Sequence, residues 1–312
     1  MGSSISVSAI VSAIIVTFNR KNDVVRCIDA VLGQSFPVKN IVVVNNASTD
    51  GTLELLSKRF PIQDFPNVHI LNLEQNTGGA GGFYTGLKFA HENLNSDFFF
   101  LMDDDGYPDK NCLELLLKKA TELNCDYIMP VSLDIENPIN LSWLTRKKNH
   151  KKTLSYKELR SSWGEIMDYV IPFNGTLLSK KIVDEVGYIN KDFFIWGDDY
   201  EHYYRCKKAG FKPVTYLDAK FYHPAQKLSV KPGFFGFAPY TEQKLYFYCM
   251  IRNWTYIYFH YGQRWKIVVK RIAYFCFFIF SRHFDIAGWK FYKKAVQAGL
   301  KGDFSNHLEF VY

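Results

Sequence analysis

The chain has 312 residues, 47% of them hydrophobic, which suffices for one large α/β domain with or without an appendage. A net charge of +7 is modest, and no basic-aromatic recognition motif accompanies it, so nucleic-acid binding is disfavoured. Cys27, Cys112, Cys125, Cys206, Cys249 and Cys276 form no CxxC or Cys/His zinc spacing, which argues against a zinc module and fits a reduced cytoplasmic protein.

From the start, residues 7–18 are apolar but lack a basic n-region and a cleavage site, so they read as a first strand (9–18) rather than a signal peptide. Met1-Gly2 with Ser6 fits a myristoylation pattern and is taken as an ordinary start. A helix over 23–32 follows, then a strand at 40–44 ending in Asn45-Asn46. Ser48, Thr49 and Asp50 offer N-caps to a helix through Phe60. A strand at 68–73 leads to a glycine-rich turn at 76–82 and a helix to about Asn93. A fourth strand, 97–102, runs into Asp103-Asp104-Asp105; a helix at 109–123 and a strand at 127–131 come next. This alternation predicts a mostly parallel sheet with helices on both faces, its functional groups at the carboxyl ends of the strands. Residues 134–166 break the rhythm and, with their basic stretch 146–152, read as a mobile loop or small insertion. Order resumes at 169–178, with helices near 179–186 and from Asp198, and two short strands flanking Asp218. From Thr241 to about Leu300 the pattern is helical and aromatic.

Asp103-Asp104-Asp105 is the sharpest feature. Three consecutive carboxylates repel each other unless a cation sits among them. With diphosphate oxygens and water they suit Mg²⁺ or Mn²⁺, and strand alternation makes Asp103 and Asp105 the ligands. A solvated acidic turn is the plain alternative. Asp198-Asp199, after the aromatic run 193–196, offers a general base for an acceptor hydroxyl; N-capping accounts for one of the two. His223, before Pro224, could complete a metal site or be structural. The turn Asn76-Thr77-Gly78-Gly79-Ala80-Gly81-Gly82 allows close backbone approach to a phosphate or sugar, yet matches neither GxGxxG nor a Walker A loop.

In order and spacing, these residues resemble glycosyltransferase family 2, the inverting GT-A enzymes, over about residues 9–225. The resemblance implies a GT-A catalytic domain, 1–225, and a C-terminal basic, aromatic helical region, 226–312. Thr17, Asn19 and Arg20 lie in a segment like the family's first nucleotide-binding turn. Asn46 lies in the second, where many members carry Asp and the residue faces the base. Asn76, Gly78, Gly79, Gly81 and Asp104 are expected on the donor side. Asp103 and Asp105 match the DXD metal motif and His223 the third ligand of a divalent cation, Mn²⁺ or Mg²⁺. Asn174, Trp196 and Asp198 match the acceptor side, with Asp199 at the position of the catalytic base. The glycine turn and the Trp-x-Asp-Asp-x-Glu arrangement are similar to bacterial galactofuranosyltransferases, and rhamnosyltransferases share much of the pattern. The implied reaction moves galactofuranose from UDP-galactofuranose, or rhamnose from dTDP-rhamnose, onto a glycan acceptor, lipid-linked, in bacterial cell-surface polysaccharide synthesis.

Residues 226–312 carry 13 Lys+Arg against 4 Asp+Glu and 25 of the 53 aromatics. Two readings stay open for 241–300: an in-plane membrane contact at the inner face of the cell membrane, with Arg252, Arg264, Lys266, Lys270, Arg271 and Arg282 on anionic headgroups, or packing on the catalytic domain or a second subunit of a homo-oligomer. Two rival classes are weaker. A nucleotidyltransferase would want a glycine-rich basic loop where Asn19–Asp23 stands, and a non-catalytic glycan- or lipid-binding protein would need no base.

Overall fold

The computed structural model describes residues 9–170, 173–225, 231–233 and 236–310; the Met1-Gly2 and Ser6 pattern lies outside them. In chain order the elements are β1 (Val11–Thr17), α1 (Lys21–Leu32), β2 (Asn40–Asn45), α2 (Thr52–Arg59), β3 (Val68–Asn72), α3 (Gly78–Asn93), β4 (Phe98–Asp103), β5 (Tyr107–Pro108), α4 (Cys112–Leu123) and β6 (Tyr127–Asp134). There follow β7 (Asn140–Arg146), β8 (Lys152–Ser155), α5 (Tyr156–Trp163), β9 (Ile166–Met167), β10 (Asn174–Ser179), α6 (Lys180–Val186), α7 (Asp198–Lys208) and β11 (Val214–His223). The chain ends with β12 (Lys231–Gly233), β13 (Ala238–Tyr240), α8 (Lys244–His260), α9 (Arg264–Cys276) and α10 (Ile286–Lys301). The described residues form two compact units. One takes those up to Ile189 together with 205–225; the other takes Asn190–Tyr204 and those from 231 onward.

The first unit is built on a sheet of order β3-β2-β1-β4-β10-β6-β11-β5. Strands β3, β2, β1 and β4 are parallel, and β10 inserts antiparallel between β4 and β6. The strands are apolar on both faces because both are covered. Alternate residues of β1 divide the labour. Val11, Ala13 and Ile15 join Val24, Ile28 and Val31 of α1 and Leu113, Leu116 and Leu117 of α4 in one core. Ile14 and Val16 point the other way, onto α3, where the glycines let the helix lie close. A Cβ at Gly82 would stand 2.4 Å from Val16 Cγ1, and one at Gly86 2.6 Å from Ile14 Cγ2.

One open sequence reading is decided here and one expectation is corrected. Of the two readings of residues 134–166, a mobile loop or a small insertion, the structure has the insertion: β7 and β8 form a hairpin on β6, and α5 packs over Leu141 and Leu217 through Leu159. The basic stretch is the tip of that hairpin. The two strands flanking Asp218 are one strand, β11, with a register shift between Tyr216 and Lys220. The bulge allows a polar residue mid-strand, and Arg160 meets Asp218 there with two hydrogen bonds.

In the second unit, α8, α9 and α10 enclose an aromatic core that includes Phe247, Tyr248, Tyr274, Phe278 and Tyr292. Tyr274 and Tyr292 stack with centroids 4.4 Å apart. The segment from Thr241 to about Leu300 is therefore helical and aromatic, as the sequence predicts.

Replacing Gly82 by Ala is expected to destabilise the protein by about 1–3 kcal/mol, the range for overpacking a filled site. Gly79→Ala, where a Cβ meets nothing within 4 Å, should change stability far less. Urea unfolding of the two variants checks the contrast.

Candidate active site

At the carboxyl edge of the first unit's sheet, β4 ends in Asp103, and Asp104 and Asp105 follow. Thr17, ending β1, donates Oγ1 to Asp104 Oδ2 at 2.6 Å. Arg20, just before α1, reaches Asp104 Oδ1 at 2.9 Å and Asp105 Oδ2 at 2.7 Å. His223, the last residue of β11, brings Nε2 to 3.1 Å from Asp105 Oδ1. Asn174 begins β10 opposite Met102, next to Asp103, and is buried.

The charges are not evenly satisfied. Burial, then Asp105 and Asp104, push the Asp103 carboxyl up to about 8. Burial pushes Asp104 up to about 6 against the pull of Arg20. Burial opposes ionisation of Asp105 too, but His223 and Arg20 outweigh it and hold that carboxyl below its ordinary value. Burial likewise works against a charged His223, and Asp105 overrides it and raises the imidazole.

The tautomer of His223 bears on metal binding. Its Nδ1 lies 2.7 Å from the Pro224 carbonyl oxygen, which can only accept, so Nδ1 carries a proton. Nε2 then faces Asp105 Oδ1, a buried oxygen with no aligned hydrogen bond. A lone pair facing a carboxylate oxygen at this distance is favourable only with a proton or a cation between them. A histidine fixed by a carbonyl on its other nitrogen is the usual support of a metal ligand. Among the described residues, no three His, Cys, Asp or Glu side chains form a ready-made cluster. The Asp105–His223 pair can therefore share a proton, or in its place take a cation whose remaining ligands include substrate phosphate and water. Trp143 of β7 packs on the His223 ring with centroids 4.6 Å apart, and Ser142 Oγ donates to the His223 carbonyl. Neither was legible in the sequence, where nothing in 134–166 pointed to His223.

The donor-side candidates have different fates. Asn19, with φ of 54°, accepts from the Thr49 amide at 2.7 Å through Oδ1, and its own amide donates to Ser48 Oγ. The turns after β1 and β2 are thereby laced together. Asn46 does not offer an open group to a base. It is buried; Nδ2 donates to Asn76 Oδ1 and the Gly78 carbonyl, and Oδ1 accepts from Thr77 N and Oγ1. Those four bonds use the amide's whole capacity, so Asn46 shapes the glycine turn instead. Asp104 is likewise buried and occupied by Thr17 and Arg20. Gly81 faces Thr77, where a Cβ would stand 2.4 Å away, so its smallness serves packing; Gly78 has φ of +70°, and Gly79 is the open position.

The acceptor-side candidates Trp196, Asp198 and Asp199 belong to the second unit. The turn before α7 is strained: φ is 64° at Phe194, 69° at Trp196 and 85° at Gly197. Such conformations cost about 1–3 kcal/mol each for residues other than glycine and persist only where the surroundings enforce them. Two neighbours on α8 do so. Asn253 Nδ2 lies within 3.0 Å of the carbonyl oxygens of Phe193, Ile195 and Trp196. Arg252 donates Nη2 to the Phe193 carbonyl at 2.8 Å, Nη1 to the Phe304 carbonyl and Nε to Asn253 Oδ1. Arg252 is fully buried, so it is not one of the surface cations the sequence suggested. Carbonyl dipoles rather than a carboxylate balance its charge. Trp196 packs against the aromatic core of this unit.

Asp198 and Asp199 open α7. Burial, then Asp199, push Asp198 up to about 8, towards its protonated form. Asp199 is more accessible, and its Oδ1 accepts from the Tyr200 amide at 2.7 Å. A carboxyl whose folded value lies above its ordinary 3.8 contributes stability that is fully present below about pH 4 and lost as pH rises towards about 8. Asp198→Asn should remove that contribution to the pH slope. Melting temperature followed from pH 5 to 8 is expected to fall less steeply in the variant than in the parent; an unchanged slope would contradict the assignment.

The family model described as Glycosyl transferase family 2 matches residues 12–187. The galactofuranosyltransferase GlfT1 of Mycolicibacterium smegmatis is 29% identical over 89% of this chain and 92% of that protein. GlfT1 of Mycobacterium tuberculosis is 28% identical over 90% and 92%. Among solved structures, S. aureus TarS 1-349 superposes with a TM-score of 0.54 at 16% identity, covering 96% of this chain and 80% of that one. GalNAc-T7 with UDP, GalNAc and Mn²⁺ gives 0.58 at 13% identity; 80% of this chain matches and spans 47% of that one. These likenesses show a shared fold, the GT-A arrangement of sheet and helices expected from the sequence. The chain thus belongs to glycosyltransferase family 2 and is an inverting glycosyltransferase.

Proposed function

We propose that the protein transfers galactofuranose from UDP-galactofuranose to a hydroxyl of a lipid-linked glycan, with a divalent cation, at the cytoplasmic face of a cell membrane. The donor assignment rests on the similarity to the two GlfT1 proteins along nearly their whole length. The chemistry rests on one observation: the proton-fixed His223 facing the buried Asp105 oxygen.

Asp105 and His223, with Asp103, would hold Mn²⁺ or Mg²⁺. Such an ion, when bound, offsets the charge that builds on a departing diphosphate. Arg20 and the turn at Gly78-Gly79 would bind and orient the nucleotide sugar. Asp199 accepts the proton of the acceptor hydroxyl as its oxygen attacks the anomeric carbon and the bond to the diphosphate breaks on the opposite face. One base suffices for such an inversion. Asp198, whose carboxyl burial and Asp199 push towards its protonated form, is less suited to that task. Trp196 and Asn174 would help to seat the acceptor.

Two measurements test this reading. UDP-galactofuranose and dTDP-rhamnose are each offered with Mn²⁺ and with EDTA, and nucleotide release is followed. Release from UDP-galactofuranose alone, lost in EDTA, is expected; a preference for dTDP-rhamnose would overturn the donor. Asp199→Asn should fold and bind donor but lose transfer by about 10²-fold or more, the usual range for a general base. Near-normal turnover in that variant would remove Asp199 from the role.

A further inference from the structure

Helix α9 carries two apolar faces, and only one of them is packed. Ala273 and Tyr274 are buried. Trp265, Val268, Ile272 and Phe275 are 47–64% exposed. Their spacing places these four within about 80° of the helix circumference at ~100° per residue, a single continuous stripe. Beyond the helix, Phe280 and Phe284 are each 68% exposed. Large side chains left in water in this pattern mark a contact surface.

The charge around the stripe identifies what covers it. From Arg264 to Phe284 there are five Lys and Arg and no Asp or Glu. Arg264 and Arg271, which are exposed, and Lys266 have no carboxylate partner among the described residues. A two-fold contact between copies would set this cationic face against itself, since such interfaces pair the same patch on both subunits. A bilayer with anionic lipids satisfies both halves: headgroups for the cations, the interfacial zone for Trp265 and the aliphatic and Phe side chains. No helix among the described residues is long and apolar enough to cross a membrane, so the contact lies in the plane of the surface.

We infer that α9 and the turn after it, through Trp265, Val268, Ile272, Phe275, Phe280 and Phe284, insert into the interface of an anionic membrane. This deepens the membrane location in the proposed function and rests on it. Arg252 is not part of the surface, because it is buried in the unit's interior.

The test uses the full chain and vesicles of phosphatidylcholine, with or without phosphatidylglycerol. The protein should float with the anionic vesicles and less with phosphatidylcholine alone, and added salt should weaken binding. Trp265→Ser with Ile272→Ser and Phe280→Ser should weaken vesicle binding at least about tenfold, given the apolar area removed. Metal-dependent nucleotide release from the soluble donor should remain, so a failed donor assignment and a failed membrane surface are told apart. Arg264→Glu with Arg271→Glu should abolish the preference for anionic vesicles. Absence of flotation, or full flotation of the triple variant, would overturn the inference. So would a concentration-dependent dimer that the triple variant dissolves, which would give the stripe to a second copy.

Discussion

Three carboxylates crowd the end of one strand, and much of the first unit's functional edge is arranged around their repulsion. Thr17 and Arg20 come from the end of β1 and the turn after it, and His223 from the end of β11. Thr17 answers Asp104, His223 answers Asp105, and Arg20 meets both. Asp104 is satisfied internally and ties β4 to β1. Asp105 is left with one buried oxygen opposite an imidazole nitrogen, and Asp103 is driven towards its protonated form. The two roles separate within one tripeptide because the strand stops at Asp103 and the turn that follows directs Asp104 to Thr17 and Asp105 to His223. With the Asp103 carboxyl raised, a cation entering here would compete with a proton, linking affinity to pH.

The larger plan was legible because it rests on periodicity. Apolar strands alternating with amphipathic helices appear at nearly their predicted bounds, and the Asp103–Asp105 triplet stands at a strand end as expected. Local polarity left one segment open between loop and insertion and misled at another. Residues 134–166 are rich in Lys and Asn, and nothing in their pattern announces a hairpin whose stability comes from packing on β6. Asp218 in mid-strand looked like a turn because its compensating Arg160 is 58 residues away in sequence. Long-range partners of this sort leave no periodic trace.

The site residues were legible by type more than by role. Asn46 reads as an open amide, and only the structure reveals that four bonds to residues 76–78 consume it. The glycines after it read as a phosphate turn. Gly82 and Gly86 are small because α3 lies against Ile14 and Val16, Gly78 is buried with its backbone bonded to Asn46 and Asn76, and Gly79 is the open position. Arg252 reads as one cation among several in a basic tail. Its burial follows from its neighbours' carbonyls, which no charge count registers. Asn253 had no signal at all, being one Asn in an aromatic helix.

The clamp formed by Arg252 and Asn253 has a consequence for how this protein can vary. Both residues sit on one helix and act on one strained turn, so their direction is set by the number of residues since the start of α8. Adding or removing a single residue between Lys244 and Arg252 would rotate both by about 100° and leave Phe194 and Trp196 without their restraint. The exposed side chains of α8 can change more readily than its length. That segment works as a ruler for the turn that opens α7.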